Sequence, residues 1–306
     1  MNYIKMQEIT HKDYLEFVES HSEVIIENVK VKLHKDWEIK SISPPKDYSP
    51  EKSTVWSFPD RGNWATHKGN YRGNWSPYIP RNLILNFTKE GDWVLDQMVG
   101  SGTTLVECKL LGRNAIGVDI NRDAIMVARD RLNFDITSLF ETLPMPQIKT
   151  YVGDARNLNE VKNDSIDLIA FHPPYANIVG YTKQKVKGDL SNIRKIGEYI
   201  EEMRKVAEES FRVLKPGKYC SLLIGDTRRR THYVPVAFRI LETFLEVGFI
   251  LKEDVIKLQW NTTITRERWL NRNKNFYLIA HEHLFIFRKP GREEKTTPFK
   301  ESMKWW

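Results

Sequence analysis

The sequence predicts an α/β protein built on a mostly parallel seven-stranded sheet, with helices on both faces and an antiparallel strand at one end. Three observations lead there. From residue 93 onward, short apolar runs alternate with segments of helical period, the pattern of strand–helix–strand units. A glycine-rich turn joins the first such strand to the first such helix. The last two apolar runs, 250–258 and 283–288, follow each other with no helical segment between them, which implies an antiparallel pair at one end of the sheet.

The first strand is Trp93-Val94-Leu95-Asp96, followed by a turn and a helix over 103–111. Asn114–Asp119 forms the second strand and 121–133 the second helix. Strands are predicted at 150–153, 166–171 and 219–224, with helices over 193–213 and 233–247, before the final pair. Residues 1–52 are polar, carry the breaker cluster Ser43-Pro44-Pro45-Lys46, and read as an arm. Residues 53–290 hold the folded domain and 291–306 a tail. Between 53 and 82, Trp56, Trp64, Tyr71, Trp75 and Tyr78 sit among Gly, Asn and Arg. They are either anchors that pin a loop or a ligand or nucleic-acid surface.

Composition narrows the classes. The 306 residues are 41% hydrophobic and 28% charged, which suits a globular core. A net charge of +7 suits a polyanionic partner without proving one. The two cysteines, Cys108 and Cys220, lack metal-site or redox-pair spacing and read as core residues, so neither a bound metal nor a disulfide is expected. No apolar run reaches the ~18 residues of a membrane helix, and the first residues lack a signal-peptide core, so the expected location is the cytoplasm.

The turn reads Asp96-Gln97-Met98-Val99-Gly100-Ser101-Gly102-Thr103-Thr104. Its glycines allow close backbone approach, and the helix start offers free amides to an anion. A phosphate loop would need Gly-Lys-Ser/Thr, which is absent. A dinucleotide fingerprint would need a small residue where Leu105 stands. Asp119 ends the second strand and can accept from two ribose hydroxyls. Asp154 ends the third and can accept from an adenine amino group. Adenosine plus an amino-acid carboxylate, without phosphate, outlines S-adenosylmethionine. The alternative is that both aspartates only cap the following helices.

The fourth strand runs into His172-Pro173-Pro174-Tyr175. Two prolines fix the backbone and remove two donors, and an aromatic ring follows. The set Asp96, Gly100–Thr104, Asp119, Asp154 and Pro173-Pro174-Tyr175 resembles the DNA amino-methyltransferases, which act on adenine N6 or cytosine N4. Gly73–Leu83 resembles the segment of that family that covers the cofactor.

The resemblance, which spans roughly residues 55–290, implies a Rossmann-like S-adenosylmethionine-dependent methyltransferase fold. It implies cofactor contacts from Trp75, Ser76, Pro77, Asp96, Met98, Gly100, Ser101, Gly102, Thr103, Thr104, Asp119, Ile120, Asp154 and Ala155. It implies catalysis by His172, Pro173, Pro174 and Tyr175, by direct transfer to the amine of a base flipped out of double-stranded DNA. The protein would act as a monomer or homodimer.

DNA contacts are expected from Lys183, Lys185 and Lys187 in a loop over 176–195, from Arg228, Arg229 and Arg230 in 227–233, and from Arg266, Arg268 and Arg272 in 259–280; the arm over 1–52 is a further candidate. Two departures stand out. The usual Asp-Pro-Phe is Asp96-Gln97-Met98, and His172 replaces the usual Asp, Ser or Asn. A non-anionic His172 tilts the expectation towards cytosine. An RNA base methyltransferase and a degenerate nucleic-acid-binding subunit are the competing readings.

Overall fold

The computed structural model describes residues 3–26, 28–136, 145–174, 186–260 and 275–303. The chain opens with β1 (Gln7–Glu8), α1 (His11–Ser20), a hairpin of β2 (Glu23–Ile26) and β3 (Val29–Lys32), then β4 (Val55–Trp56) and α2 (Tyr78–Phe87). It continues through β5 (Trp93–Asp96), α3 (Thr103–Leu110), β6 (Asn114–Asp119), α4 (Arg122–Leu132), β7 (Ile148–Val152) and β8 (Ile166–Phe171). Next come α5 (Ile196–Val213), β9 (Leu214–Ile224), a hairpin of β10 (Thr227–Arg229) and β11 (His232–Val234), α6 (Val236–Val247), β12 (Ile250–Leu258) and β13 (His281–Arg288).

Among the described residues the main sheet has nine strands in the order β1-β7-β6-β5-β8-β9-β13-β12-β4. The seven expected strands are its interior, and β7, β6, β5, β8 and β9 are mutually parallel. The antiparallel strand is β13, and it lies between β9 and β12 rather than at an end. The short strands β1 and β4 lie at the two edges, each paired with its neighbour over two residues. β8 is buried at all six positions because helices cover both faces. Tyr199 and Met203 of α5 pack with Ile240 and Phe244 of α6 in one core cluster. Leu83 of α2, Leu105 of α3 and Ile125 of α4 belong to the other.

Residues 3–26 and 28–37, expected as part of an arm, are folded into the domain. Thr10 and Asp13 form a reciprocal cap at the start of α1. Tyr14 is fully buried, with its hydroxyl 3.0 Å from both Asp130 Oδ1 and the His34 carbonyl. Trp37 Nε1 donates to the Asp130 carbonyl at 2.7 Å, and Arg129 Nε donates to the Ile9 carbonyl at 2.9 Å. These bonds fasten the N-terminal segment to α4.

The aromatic residues of 53–82 are packed into the domain. Trp56, Trp64, Tyr71 and Trp75 are buried and Tyr78 is half-buried. Their segment is tied down by Glu107 of α3, whose side chain is fully buried. Glu107 Oε1 accepts from Trp64 Nε1 at 2.8 Å and lies 2.7 Å from His67 Nε2, while Oε2 accepts from Arg81 Nη1 at 2.7 Å. Removing a buried carboxylate that holds a cation leaves that cation unpaired, at a cost of about 3–5 kcal/mol. Glu107→Ala is therefore expected to lower the unfolding free energy by that order in a denaturant titration followed by tryptophan fluorescence. A loss below about 1 kcal/mol, the scale of an exposed pair, would contradict the role given to this carboxylate.

Candidate active site

In-register parallel strands bring their carboxyl ends to one edge, where α/β folds place ligands. Asp96 ends β5 beside Gly117, and Asp119 ends β6 beside Val152. Gly153-Asp154 follows β7, and His172 follows β8. A cleft enclosing about 860 Å³ of empty space, counting its open mouth, lies along this edge. Trp75, Asp96, Met98, Gly100, Ser101, Thr103, Asp119, Ile120, Asp154, Ala155, His172 and Pro174 line it, as the sequence led us to expect.

Five of the expected residues do not line the cleft. Ser76 Oγ donates to the Arg61 carbonyl at 2.7 Å, and Pro77 opens α2. Thr104 donates its hydroxyl to Asp96 Oδ2. Gly102 caps α3 at φ 81°, where a Cβ would come within 3.0 Å of the Ala128 backbone, so its glycine is required by the approach of α4. Pro173 is buried in the loop between His172 and Pro174. Tyr175, Lys183, Lys185, Arg266, Arg268 and Arg272 lie outside the described residues.

The structure adds Tyr71, Asn74, Asp189 and Leu190 to the cleft wall. Asn74 fell within the covering segment, but Asp189 had no motif to mark it. Asp189 Oδ1 accepts from the Ser191 amide at 2.8 Å and starts a short 3-10 turn.

The carboxylates differ in what balances them. Asp96 accepts from the Met98 amide at 3.2 Å as well as from Thr104. Asp119 accepts from the Gly100 amide at 3.0 Å and the Asn121 amide at 2.9 Å. Asn121, not Asp119, caps α4. Desolvation pushes Asp96 up to about 7 and Asp119 up to about 6 from the usual 3.8, against the pull of these donors. Asp154 instead accepts three bonds from Arg156: the amide at 3.0 Å, Nε at 2.8 Å and Nη2 at 2.6 Å. Arg156 also reaches the Gly188 carbonyl at 2.6 Å and Glu202.

The loop that follows β8 is held from behind. Tyr199 of α5 donates to the Pro174 carbonyl at 2.9 Å. The His172 side chain is 14% exposed, and its ring lies 6.1 Å from that of Trp75 with 22° between planes. Burial pushes its pKa below the ordinary imidazole value.

Of the basic residues, Lys187, Arg229 and Arg230 are exposed. Arg228 donates to the carbonyls of Thr231 at 3.1 Å and Tyr277 at 2.7 Å and stacks on Tyr233 and Phe276. It thus clamps the β10–β11 hairpin to the segment that enters β13. Among the described residues no group of side chains could hold a metal ion, and no helix is long and apolar enough to cross a membrane.

The strand order and the cleft at its carboxyl edge define an S-adenosylmethionine-dependent methyltransferase fold. A family model described as DNA methylase matches residues 5–130 and 166–305, and the chain belongs to this N6/N4 DNA methylase family. S-adenosylmethionine is its cofactor.

The type II methyltransferase M2.DpnII of Streptococcus pneumoniae is 51% identical over 55 residues, 18% of this chain and 20% of that protein. The type II methyltransferase M.HpaI of Haemophilus parainfluenzae is 29% identical over 123 residues, 40% of this chain and 38% of that protein. A tRNA (guanine(10)-N2)-dimethyltransferase of Methanothermobacter thermautotrophicus is 31% identical over 121 residues, 38% of this chain and 33% of that protein. The matched stretches thus span between 20% and 38% of these relatives' own lengths. Among solved structures, a methyltransferase of Methanosarcina mazei is 17% identical, with a TM-score of 0.46 over 69% of this chain and 98% of that one.

The raised carboxyl groups generate opposite pH dependences. In the free protein, stability from a raised group is complete below the unfolded value of 3.8 and is lost as pH rises through about 6 to 7. The cofactor carries a positive sulfonium and donates ribose hydroxyls, both of which favour ionised carboxylates. Its affinity is expected to rise between about pH 5.5 and about pH 7.5, with proton release on binding. Calorimetry in buffers of different ionisation heat checks this. Asp119→Ala should weaken binding by about 1–3 kcal/mol and reduce the proton release. Affinity that is flat across this range would show that neither carboxyl group titrates with the ligand.

Proposed function

We propose that this protein transfers a methyl group from S-adenosylmethionine to the exocyclic amino group of a base flipped out of double-stranded DNA, in the cytoplasm. The observation that carries the reading is where the catalytic loop opens. His172-Pro173-Pro174 leaves the buried strand β8 onto the same cleft as Asp96, Asp119 and the start of α3.

The donor set fits the cofactor. The α3 N-terminus with Ser101 and Thr103 suits the amino-acid carboxylate. Asp119 suits the ribose, Asp154 with Ala155 the adenine edge, and Trp75 the covering wall. Bound there, the cofactor supplies an electrophilic methyl group on a sulfonium.

An exocyclic amine is a poor nucleophile because its lone pair is delocalised into the ring. Neutral His172, which lines the cleft, accepts a hydrogen bond from one of its N–H groups, and the Pro173 carbonyl, the second acceptor that the resemblance implies, takes the other, which leaves the lone pair facing the methyl group. Tyr175 stacks on the base. Much of the acceleration is positioning. Flipping costs a few kcal/mol, which the exposed Lys187, Arg229 and Arg230 help to offset through phosphate contacts. A non-anionic His172 favours cytosine N4 over adenine N6. The type II methyltransferases among the relatives favour a restriction–modification or orphan-methylase setting. The tRNA enzyme among them keeps an RNA substrate as the second reading.

Incubation with methyl-labelled cofactor and either duplex DNA or tRNA, followed by nucleoside analysis, is expected to yield N4-methylcytosine from the DNA. Label confined to tRNA would overturn the assignment, and no transfer to either would leave a binding subunit. DNA affinity should fall with salt at about −0.9 log units per log unit of salt for each phosphate contacted. Arg229→Ala combined with Arg230→Ala should flatten that slope, whereas Arg228→Ala should chiefly loosen the hairpin.

A further inference from the structure

The residue that opens the catalytic loop is a histidine where the family has Asp, Ser or Asn, and a carboxylate stands behind it. Glu282 of β13 is buried, and its Oε1 lies 3.9 Å from His172 Nε2. Its Oε2 accepts from Lys257 Nζ of β12 at 2.8 Å. The 71–75 segment contributes the Trp75 ring and the Gly73 carbonyl, which accepts from the His172 ring. The charged groups facing the imidazole are thus Glu282 from β13 and Lys257 from β12.

We propose that Glu282 is a positioning residue for amino-methyl transfer: acting through His172, it makes a His–Glu pair that stands in for the single polar side chain that opens the usual Pro-Pro-Tyr loop. The inference rests on the reading under Proposed function.

The step balances as follows. The amine lone pair forms the N–C bond while the C–S bond breaks, its electron pair passing to sulfur to give the thioether. The nitrogen then carries two protons, the new methyl group and a positive charge. One proton passes to neutral His172, and the imidazolium is held by the Glu282 carboxylate until the proton leaves to solvent with product release. A buried imidazolium without a counter-charge would be costly. Burial keeps the resting ring neutral, Glu282 opposes that depression, and Lys257 reinforces it. The ring is thereby an acceptor before transfer and tolerates a proton after it. The 3.9 Å separation exceeds a hydrogen bond, as is common before substrate binds, and charge on the ring would draw the pair together.

The plainer role for Glu282 is a cross-strand pair with Lys257, its register partner. Single-turnover transfer against pH, at saturating DNA and cofactor, separates the two. Glu282→Gln should lower the plateau rate by about 10–100-fold, as loss of a residue that orients a functional ligand does. Cofactor affinity should stay unchanged, and the acid limb should move to lower pH because the anion that raises the ring's pKa is gone. Glu282→Asp should restore part of the rate. Lys257→Gln should move the limb the other way.

Opposite shifts are a signature that a packing role does not produce. Active proteins whose limbs coincide with wild type overturn the inference. If Glu282→Gln does not fold, the limbs of Glu282→Asp and Lys257→Gln decide. If wild type methylates no nucleic acid, the functional reading fails on its own. An NMR titration of the His172 ring in the same variants then decides whether Glu282 sets its protonation.

Discussion

Glu107 is a fully buried carboxylate, and the chain segment that covers the cleft is tied down by the donors that balance it. Desolvation holds His67 below its usual pKa, so the imidazole serves as a neutral donor and Arg81 supplies the positive charge. These partners bracket residues 64–81, and Tyr71, Asn74 and Trp75 lie on the chain between them. Asn74 Nδ2 then reaches Ser101 Oγ at 3.3 Å, and the Tyr71 ring lies against Gly100, whose φ is 49°. The covering wall and the helix beneath it are therefore held in one frame, because both are referred to a single buried side chain.

Inside that frame the charge balance is uneven. Asp154 is neutralised by Arg156, but Asp96 and Asp119 are held only by dipolar donors. Their desolvation cost is borne by the free protein and is relieved by a ligand that brings positive charge and hydroxyl donors. A sulfonium nucleoside meets that requirement better than a neutral one. Arg156 extends the balance outward, since its bond to the Gly188 carbonyl ties the 188–190 wall to the Asp154 carboxylate.

The strands and helices from residue 93 onward were legible because their patterns are local. β8 reads as apolar at every position but Asp167, and the turn after β5 has its glycines where close approach demands them. α1 was not legible, since only Tyr14 and Val18 of its ten residues are buried. α2 begins at the residue after Pro77 and carries Pro80 in its first turn, so it read as loop. The insertion of β13 between β9 and β12 is a matter of strand order, which no local pattern carries. Most of the cleft wall followed from motif and strand ends. Glu107, Arg156 and Glu282 did not, because each is defined by partners distant in sequence or by a pairing that no motif encodes.

The two departures from the family pattern share a backing element. Gln97, in the place of the usual proline, sends Nε2 to Ser210 Oγ of α5 at 2.8 Å. The same helix supplies Tyr199 to the Pro174 carbonyl and Glu202 to Arg156. Residues 199, 202 and 210 recur at helical spacing on the side of α5 that meets the sheet, so one rigid helix contacts the turn after β5, the Arg156 guanidinium that pairs with Asp154, and the loop after β8 together. Direct transfer needs nucleophile and methyl carbon brought to about 3–3.5 Å with their orbitals aligned. A single helix that braces both sides of the cleft contributes rigidity towards that constraint, and its Ser210 gives the polar Gln97 a buried partner beside an otherwise apolar core.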